Sequence, residues 1–200
     1  MFVMRNSPLN LRAIADAAVT IVDRDGFDAL TVSSVAGELG VGPSRLYTHI
    51  DGLDGLRYLV ATAATRNLTK HVRNAAIGTA GDNALAAIGT AYRAFANDHP
   101  GQFASTLLPP RRDHDDLSVA NQELLDVFTL VYTAMGLTPT SSRLAARSTR
   151  SAIHGFLALE HNSGTTPEHE AEYDHLLATL QHGLLATSHP RPPDNPAPET

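Results

Sequence analysis

The chain of 200 residues has no cysteine and no tryptophan, and aromatic residues make up only 6% of it. Without cysteine there is no disulfide, no thiolate metal site and no cysteine nucleophile. No apolar run approaches the roughly 20 residues that span a bilayer, and the opening MFVMRNSPLN lacks the apolar core of a secretory signal. None of the patterns GxxxxGKS/T, GxGxxG or GxSxG occurs, so the phosphate-cradling loops and the nucleophile elbow are excluded. Positive charge is also scarce. Fifteen Lys and Arg face 21 Asp and Glu, a formal charge of −6, so no global basic field draws in a polyanion. Hydrophobic residues at 42% argue for a folded chain. The expected location is cytoplasmic, with no membrane partner.

What is present is helical periodicity. Ile14, Ala17, Ala18, Ile21 and Val22 recur at i, i+3, i+4, i+7 and i+8, one face of an amphipathic helix. Asn10 suits its N-cap and Gly26 its left-handed stop. Thr31 heads a short second helix with Val32, Val35, Ala36 and Leu39 inward. Pro43 suits the first turn of a third, expected from Pro43 to about His49. A long helix follows from Asp51 or Asp54 to about Ala76, with Leu53, Leu56, Leu59, Val60, Ala63 and Ala64 inward. Further helices are expected from Asp82, over 101–107, 117–135, 140–162 and 168–187. The end, HPRPPDNPAPET, has five prolines in twelve residues and reads as a disordered tail. The fold class is all-α. A helix-turn-helix domain over 1–50 precedes a helical ligand-binding and dimerisation bundle over 51–188 and a tail over 189–200.

The helices within 11–49 have helix-turn-helix proportions: two short helices meet at a small glycine-containing turn, and the second enters the major groove. Specific strings sharpen this. Ile14-Ala15-Asp16-Ala17-Ala18, Gly26-Phe27-Asp28-Ala29-Leu30-Thr31-Val32, Val35-Ala36-Gly37-Glu38-Leu39-Gly40-Val41 and Leu46-Tyr47-Thr48-His49-Ile50 resemble the N-terminal domain of the TetR family of transcriptional regulators. In addition, Phe95-x-x-x-His99-Pro100-Gly101-x-Phe103 and Ile153-His154-Gly155-Phe156-x-x-Leu159-Glu160 look like the subgroup with a Trp-His-Gly C-terminal signature, Ile153 standing where the Trp would be.

The resemblance implies a recognition helix at 43–49. Pro43, Ser44 and Arg45 would face bases and Tyr47, Thr48 and His49 phosphates, while Thr31 and Ser33 would reach the backbone from the preceding helix. The chemistry agrees, since Arg reads guanine through paired hydrogen bonds and hydroxyls hold phosphates without fixed charge. Tyr47 as a core aromatic and His49 as an ordinary surface histidine are the plainer alternatives. The charge is an obstacle. Residues 1–60 hold five Arg against seven acidic residues, and Asp51 and Asp54 stand where the family often has a basic residue. Few phosphates would be neutralised, and the affinity would depend on salt only weakly.

Tyr92, Phe95, Phe103, Phe128 and Tyr132 fall on inward helix faces. They read either as core or as the lining of a pocket for an apolar or aromatic effector, and His154 as a core histidine or a ligand contact. Arg143, Arg147 and Arg150 share one face at i, i+4 and i+7. The next-to-last helix is rich in Ala, Ser and Gly, and the last carries a wide apolar stripe. Pairing of these helices across a two-fold axis, through Ile153, Leu157, Leu176, Leu180 and Leu184, would give a homodimer. The histidine and glutamate cluster around 161–175 straddles a turn without ligand spacing, so no metal or cofactor is expected. No nucleophile–base pair is enforced by spacing, so no enzyme is expected. The function expected is a ligand-responsive repressor on a pseudo-palindromic double-stranded operator, released by a small molecule. The alternative is a helical small-molecule-binding or protein-binding adaptor that has lost DNA binding.

Overall fold

The computed structural model describes residues 9–111, 115–164 and 166–188; the tail at 189–200 lies outside them. Helix α1 (Leu11–Asp25) opens as its sequence requires. The Asn10 side chain accepts from Ala13 N at 2.9 Å, and Gly26, at φ 90°, closes the helix with its own N–H on the Val22 carbonyl. A 3-10 turn (Phe27–Ala29) leads to α2 (Val32–Glu38). Thr31 and Ser34 form a reciprocal capping box there, which satisfies two backbone donors at once. Helix α3 is Pro43–Leu46, shorter than the expected Pro43 to His49. The chain tightens after Leu46: His49 N bonds the Leu46 carbonyl at 2.8 Å, an i to i−3 closure, so Tyr47, Thr48 and His49 form a turn. Ile14, Ile21, Val35, Leu46 and Leu56 meet in one core, each burial contributing roughly 1.5–3 kcal/mol before entropy is counted.

Helix α4 (Gly52–Ala76) runs from this core into a second one. It is buried on nearly every side, by Leu56, Tyr58, Val60, Ala61, Thr62, Thr65, Leu68 and Thr69 among others. Leu53, expected inside, is 36% exposed; it lies in the first turn, before the neighbouring helices close around α4. The bundle is completed by α5 (Gly81–Asp98), α6 (Pro100–Ser105), α7 (Asp115–Ala134), α8 (Pro139–Ser163) and α9 (Pro167–Ser188). Its core gathers Leu85, Ile88, Tyr92, Phe95, Leu124, Phe128, Tyr132 and Tyr173.

Helix α9 docks on α5 at Gly89, where an added Cβ would meet a Leu177 methyl at 2.6 Å, and Tyr173 Oη donates to the Gly89 carbonyl at 2.7 Å. Nearby, Arg93 of α5 and Glu160 of α8 form a buried ion pair at 2.6 Å. Among the described residues there is no strand, and no helix is long and apolar enough to cross a membrane.

Candidate nucleic-acid interface and effector region

The eight side chains at 31–49 singled out for nucleic acid are all exposed: Thr31, Ser33, Pro43, Ser44, Arg45, Tyr47, Thr48 and His49. Tyr47 is 59% exposed and closes no core; Leu46 and Ile50 take that task. The hydroxyls differ in what they have left to offer. Thr31 Oγ1 accepts from Ser34 N at 3.0 Å and so serves the cap, and Thr48 Oγ1 donates to the Arg45 carbonyl at 2.7 Å. Among the described residues, the Ser33 hydroxyl has no hydrogen bond and Arg45 has neither a hydrogen bond nor an ion pair. Arg24, by contrast, is held by Asp25 and Glu38 at 2.9 and 3.2 Å. The exposed Arg24 bond keeps the Asp25 carboxyl below the usual range. Arg111 reaches Asp54 at 2.8 Å on the first turn of α4.

The unit is joined to the bundle by a contact that sequence reasoning missed. Helix α6 abuts the end of α1 so closely that a Cβ on Gly101 would lie 1.7 Å from the Val22 carbonyl oxygen. Asp23 receives His99 Nδ1 at 2.9 Å and Gln102 Nε2 at 2.7 Å, and Gln102 Oε1 in turn accepts from Asn67 of α4 at 2.8 Å. The His99-Pro100-Gly101 string was the available signal: proline starts the helix and glycine permits the approach. Nothing in the sequence points to Asp23 as its partner, since a polar residue at a helix end ordinarily reads as solvated.

The next residue of α6 links this junction to the aromatic interior. The Phe103 ring lies 4.6 Å from His154 and edge-on to Tyr92 at 6.4 Å. Tyr92 also touches Phe128, and its hydroxyl meets His154 Nδ1 at 2.8 Å. Tyr132 Oη bonds Thr149 Oγ1 at 2.5 Å. Tyr92, Phe95, Phe103, Phe128 and Tyr132 are thus brought together and buried, with His154 at their edge. Burial raises the Tyr92 and Tyr132 hydroxyl pKa values. Burial and then Arg150 lower that of His154 to about 4, so its imidazole is neutral at pH 7. A separate cleft of about 670 Å³ opens between α5 and the start of α9, where Arg93, Asn97, Glu170 and Tyr173 contribute to its wall.

Two residues assigned to a dimer interface need correction. Ile153 and Leu157 have no exposed surface; both pack into the subunit's own core. A buried side chain has no area left to give a partner. The outward stripe of α8 is instead Leu144, Ser148, Ser151, Gly155 and Leu159, in which Leu144 and Leu159 are 63% and 71% exposed. On α9, Leu176 and Leu180 are half-buried, and the Leu184 side chain lies outside the described residues.

An exposed helix-turn-helix unit mounted on an all-helical bundle defines the class, that of helix-turn-helix transcriptional regulators. Comparison with known proteins agrees. Residues 85–180 match the family model of the Tetracyclin repressor-like, C-terminal domain. The chain is 31% identical over 159 residues to the uncharacterized HTH-type transcriptional regulator Rv0681 of Mycobacterium tuberculosis, covering 79% of this chain and 73% of that one. It is 28% identical over 153 residues to the HTH-type regulator YobS of Bacillus subtilis, covering 76% and 78%. A crystal structure of a possible TetR family transcriptional regulator from Streptomyces coelicolor superposes with a TM-score of 0.69 at 16% identity, over 89% of this chain and all of that one. The chain belongs to the TetR family of transcriptional regulators.

Proposed function

We propose that this protein is a repressor that binds a pseudo-palindromic operator as a homodimer and is released by an apolar or aromatic small molecule. The observation that carries the reading is Arg45: an exposed guanidinium on α3, bound to nothing else among the described residues. A bidentate contact from Arg45 to guanine supplies about 1–3 kcal/mol of discrimination in each half-site. Pro43 and Ser44 flank it at the base edges, while Tyr47, Thr48 and His49 meet the phosphates. Thr31 helps by fixing the start of α2 through its cap. The Thr48 hydroxyl must rotate away from the Arg45 carbonyl before it donates to a phosphate.

Release follows from the junction. An effector among Tyr92, Phe95, Phe103, Phe128, Tyr132 and His154 displaces Phe103, and with it Gly101 and Gln102. The grip of α6 on Val22 and Asp23 then changes, and so does the spacing of the two reading units. Only an effector that prefers one spacing shifts the balance. The dimer pairs the outward stripe of α8 with the Leu176 and Leu180 edge of α9, where Ser148, Ser151 and Gly155 let two helices approach closely.

A gel shift with the DNA flanking its own gene tests the reading, with light scattering alongside. A retarded species of two chains per operator is expected. A chain that stays monomeric at micromolar concentration and retards none of this DNA overturns it. The acidic reading unit favours a second reading, a helical adaptor that has lost DNA binding, and that same outcome would select it.

A further inference from the structure

Arg150, on α8, carries a positive charge that the fold does not neutralise. Its guanidinium is half-buried and donates to the Asn121 amide oxygen at 2.5 Å. Among the described residues no carboxylate lies within ion-pair distance of it. The contrast with Arg93 is direct, because that cation, equally interior, is matched by Glu160 at 2.6 Å. A guanidinium has five donors, and a neutral amide with the Tyr92 hydroxyl oxygen satisfies few of them. An unmatched charge drawn out of water is costly unless it is paired.

The same place holds an unused donor. His154 Nδ1 meets Tyr92 Oη at 2.8 Å, and His154 Nε2 is buried with no partner. The tautomer follows from the neighbours. The Arg150 cation acts on both the Tyr92 hydroxyl and the imidazole. It turns the tyrosine lone pairs toward itself and the O–H toward Nδ1. The imidazole is neutral, so the remaining proton sits on Nε2, an N–H with nothing to bond. Phe103 covers one face of the ring. Among the described residues, one cation without a counter-charge and one N–H donor without a partner therefore stand beside a set of aromatic side chains.

We infer that Arg150 and His154 form the head-group end of the effector site, and that the effector joins a carboxylate to an apolar or aromatic body. The inference rests on the repressor reading for the site's role, and on the residues above for its chemistry. A carboxylate accepts two parallel hydrogen bonds from a guanidinium and more from neighbouring donors, so one group satisfies both Arg150 and Nε2–H. The apolar body lies along Phe103, and occupancy acts on the helix that holds Asp23.

The test uses the full chain and matched probes: decanoate against decanol, and 4-phenylbutyrate against 4-phenylbutanol. Binding is followed by calorimetry and operator release by gel shift. The acids are expected to bind at least tenfold more tightly than the alcohols. Arg150→Gln and His154→Phe should each weaken the acids by roughly tenfold to a hundredfold, the range for a lost hydrogen bond to a charged group, and leave the alcohols little changed. Thermal melts identify a variant that fails to fold. Arg150→Lys, which keeps the charge, should retain part of the preference and supplies the measurement in that case. Alcohols binding as tightly as acids, variants that bind acids like the wild type, or no binding of either series at millimolar concentration overturns the inference. The wider reading fails separately. Acid binding without release of operator would refute the release mechanism and keep the carboxylate site. Release by alcohols and acids alike would do the reverse.

Discussion

The contact of Gly101 with Val22 offers the sharpest test of how the two parts of the molecule are joined. In Gly101→Ala the new methyl would lie 1.7 Å from a backbone carbonyl oxygen, where carbon and oxygen ordinarily approach to about 3.3 Å. Helix α6 or the end of α1 must therefore shift by about 1.5 Å. Neither side can give by a rotamer change, because both are backbone. Overpacking of this kind costs about 1–3 kcal/mol. The shift also strains the bonds of Asp23 to His99 and Gln102, each worth about 1.5–3 kcal/mol when one partner is charged. The expected loss is about 3 kcal/mol or more, a fall in Tm of about 6–12 °C for a chain of this size. Differential scanning calorimetry reads the first effect, and operator affinity by gel shift reads the second. Gly89→Ala is the control. Its methyl also arrives too close, at 2.6 Å, but against the tip of Leu177, which can turn aside. If Gly101→Ala melted with the wild type and bound DNA unchanged, the docking of α6 on α1 would be wrong.

Four further outcomes are expected. Arg45→Ala should weaken operator binding by about 1–3 kcal/mol and relax preference at one base position; unchanged preference removes Arg45 from base contact. The slope of log affinity against log salt should be shallow, and titration from low to high salt checks it. Gly155→Ala has open space around its Cβ, so the helix in each subunit should gain about 0.5–1 kcal/mol while the dimer weakens; light scattering that shows an undiminished dimer counts against the α8 stripe. The His154 pKa is pulled down from the ordinary histidine value of 6.5 to about 4. The unfolded chain therefore binds the extra proton between those values, and stability is full above pH 6.5 and is lost as pH falls toward 4, by up to about 3 kcal/mol. Melts of wild type and His154→Gln across that window should converge at low pH.

Helix α1 was readable because one face is buried and the other is wet, so its apolar residues recur cleanly; α7 is the same, with Leu124, Val127, Phe128, Val131 and Tyr132 inward. The eight candidate nucleic-acid residues within 31–49 were legible through their resemblance to a family, and the structure leaves those eight exposed. Three things were hidden. Helix α4 is surrounded, so its buried set includes Tyr58, Thr62, Thr65 and Thr69, which periodicity does not separate from a solvent face. On α8 the inner and outer stripes are both made of small and aliphatic residues, so Ile153 and Leu157 could be assigned to either face until the packing was seen. The third is pairing at a distance. Asp23 with His99, and Arg93 with Glu160, are 76 and 67 residues apart, and no local pattern links them.

The manner in which α4 keeps its polar atoms satisfied has a mechanical consequence. Thr62 Oγ1 donates to the Tyr58 carbonyl and Thr69 Oγ1 to the Thr65 carbonyl, each bond closing within the helix. Across to α7 runs a loose, exposed Arg66–Glu123 pair at 3.8 Å, whereas to α6 the Asn67–Gln102 bond is 2.8 Å and half-buried. Apolar surfaces slide at little cost as long as they stay covered, and a buried hydrogen bond does not stretch in the same way. Helix α4 is thus greased along one flank and geared along the other. A small travel of α6 would drag α4 with it, and α7 would let it pass.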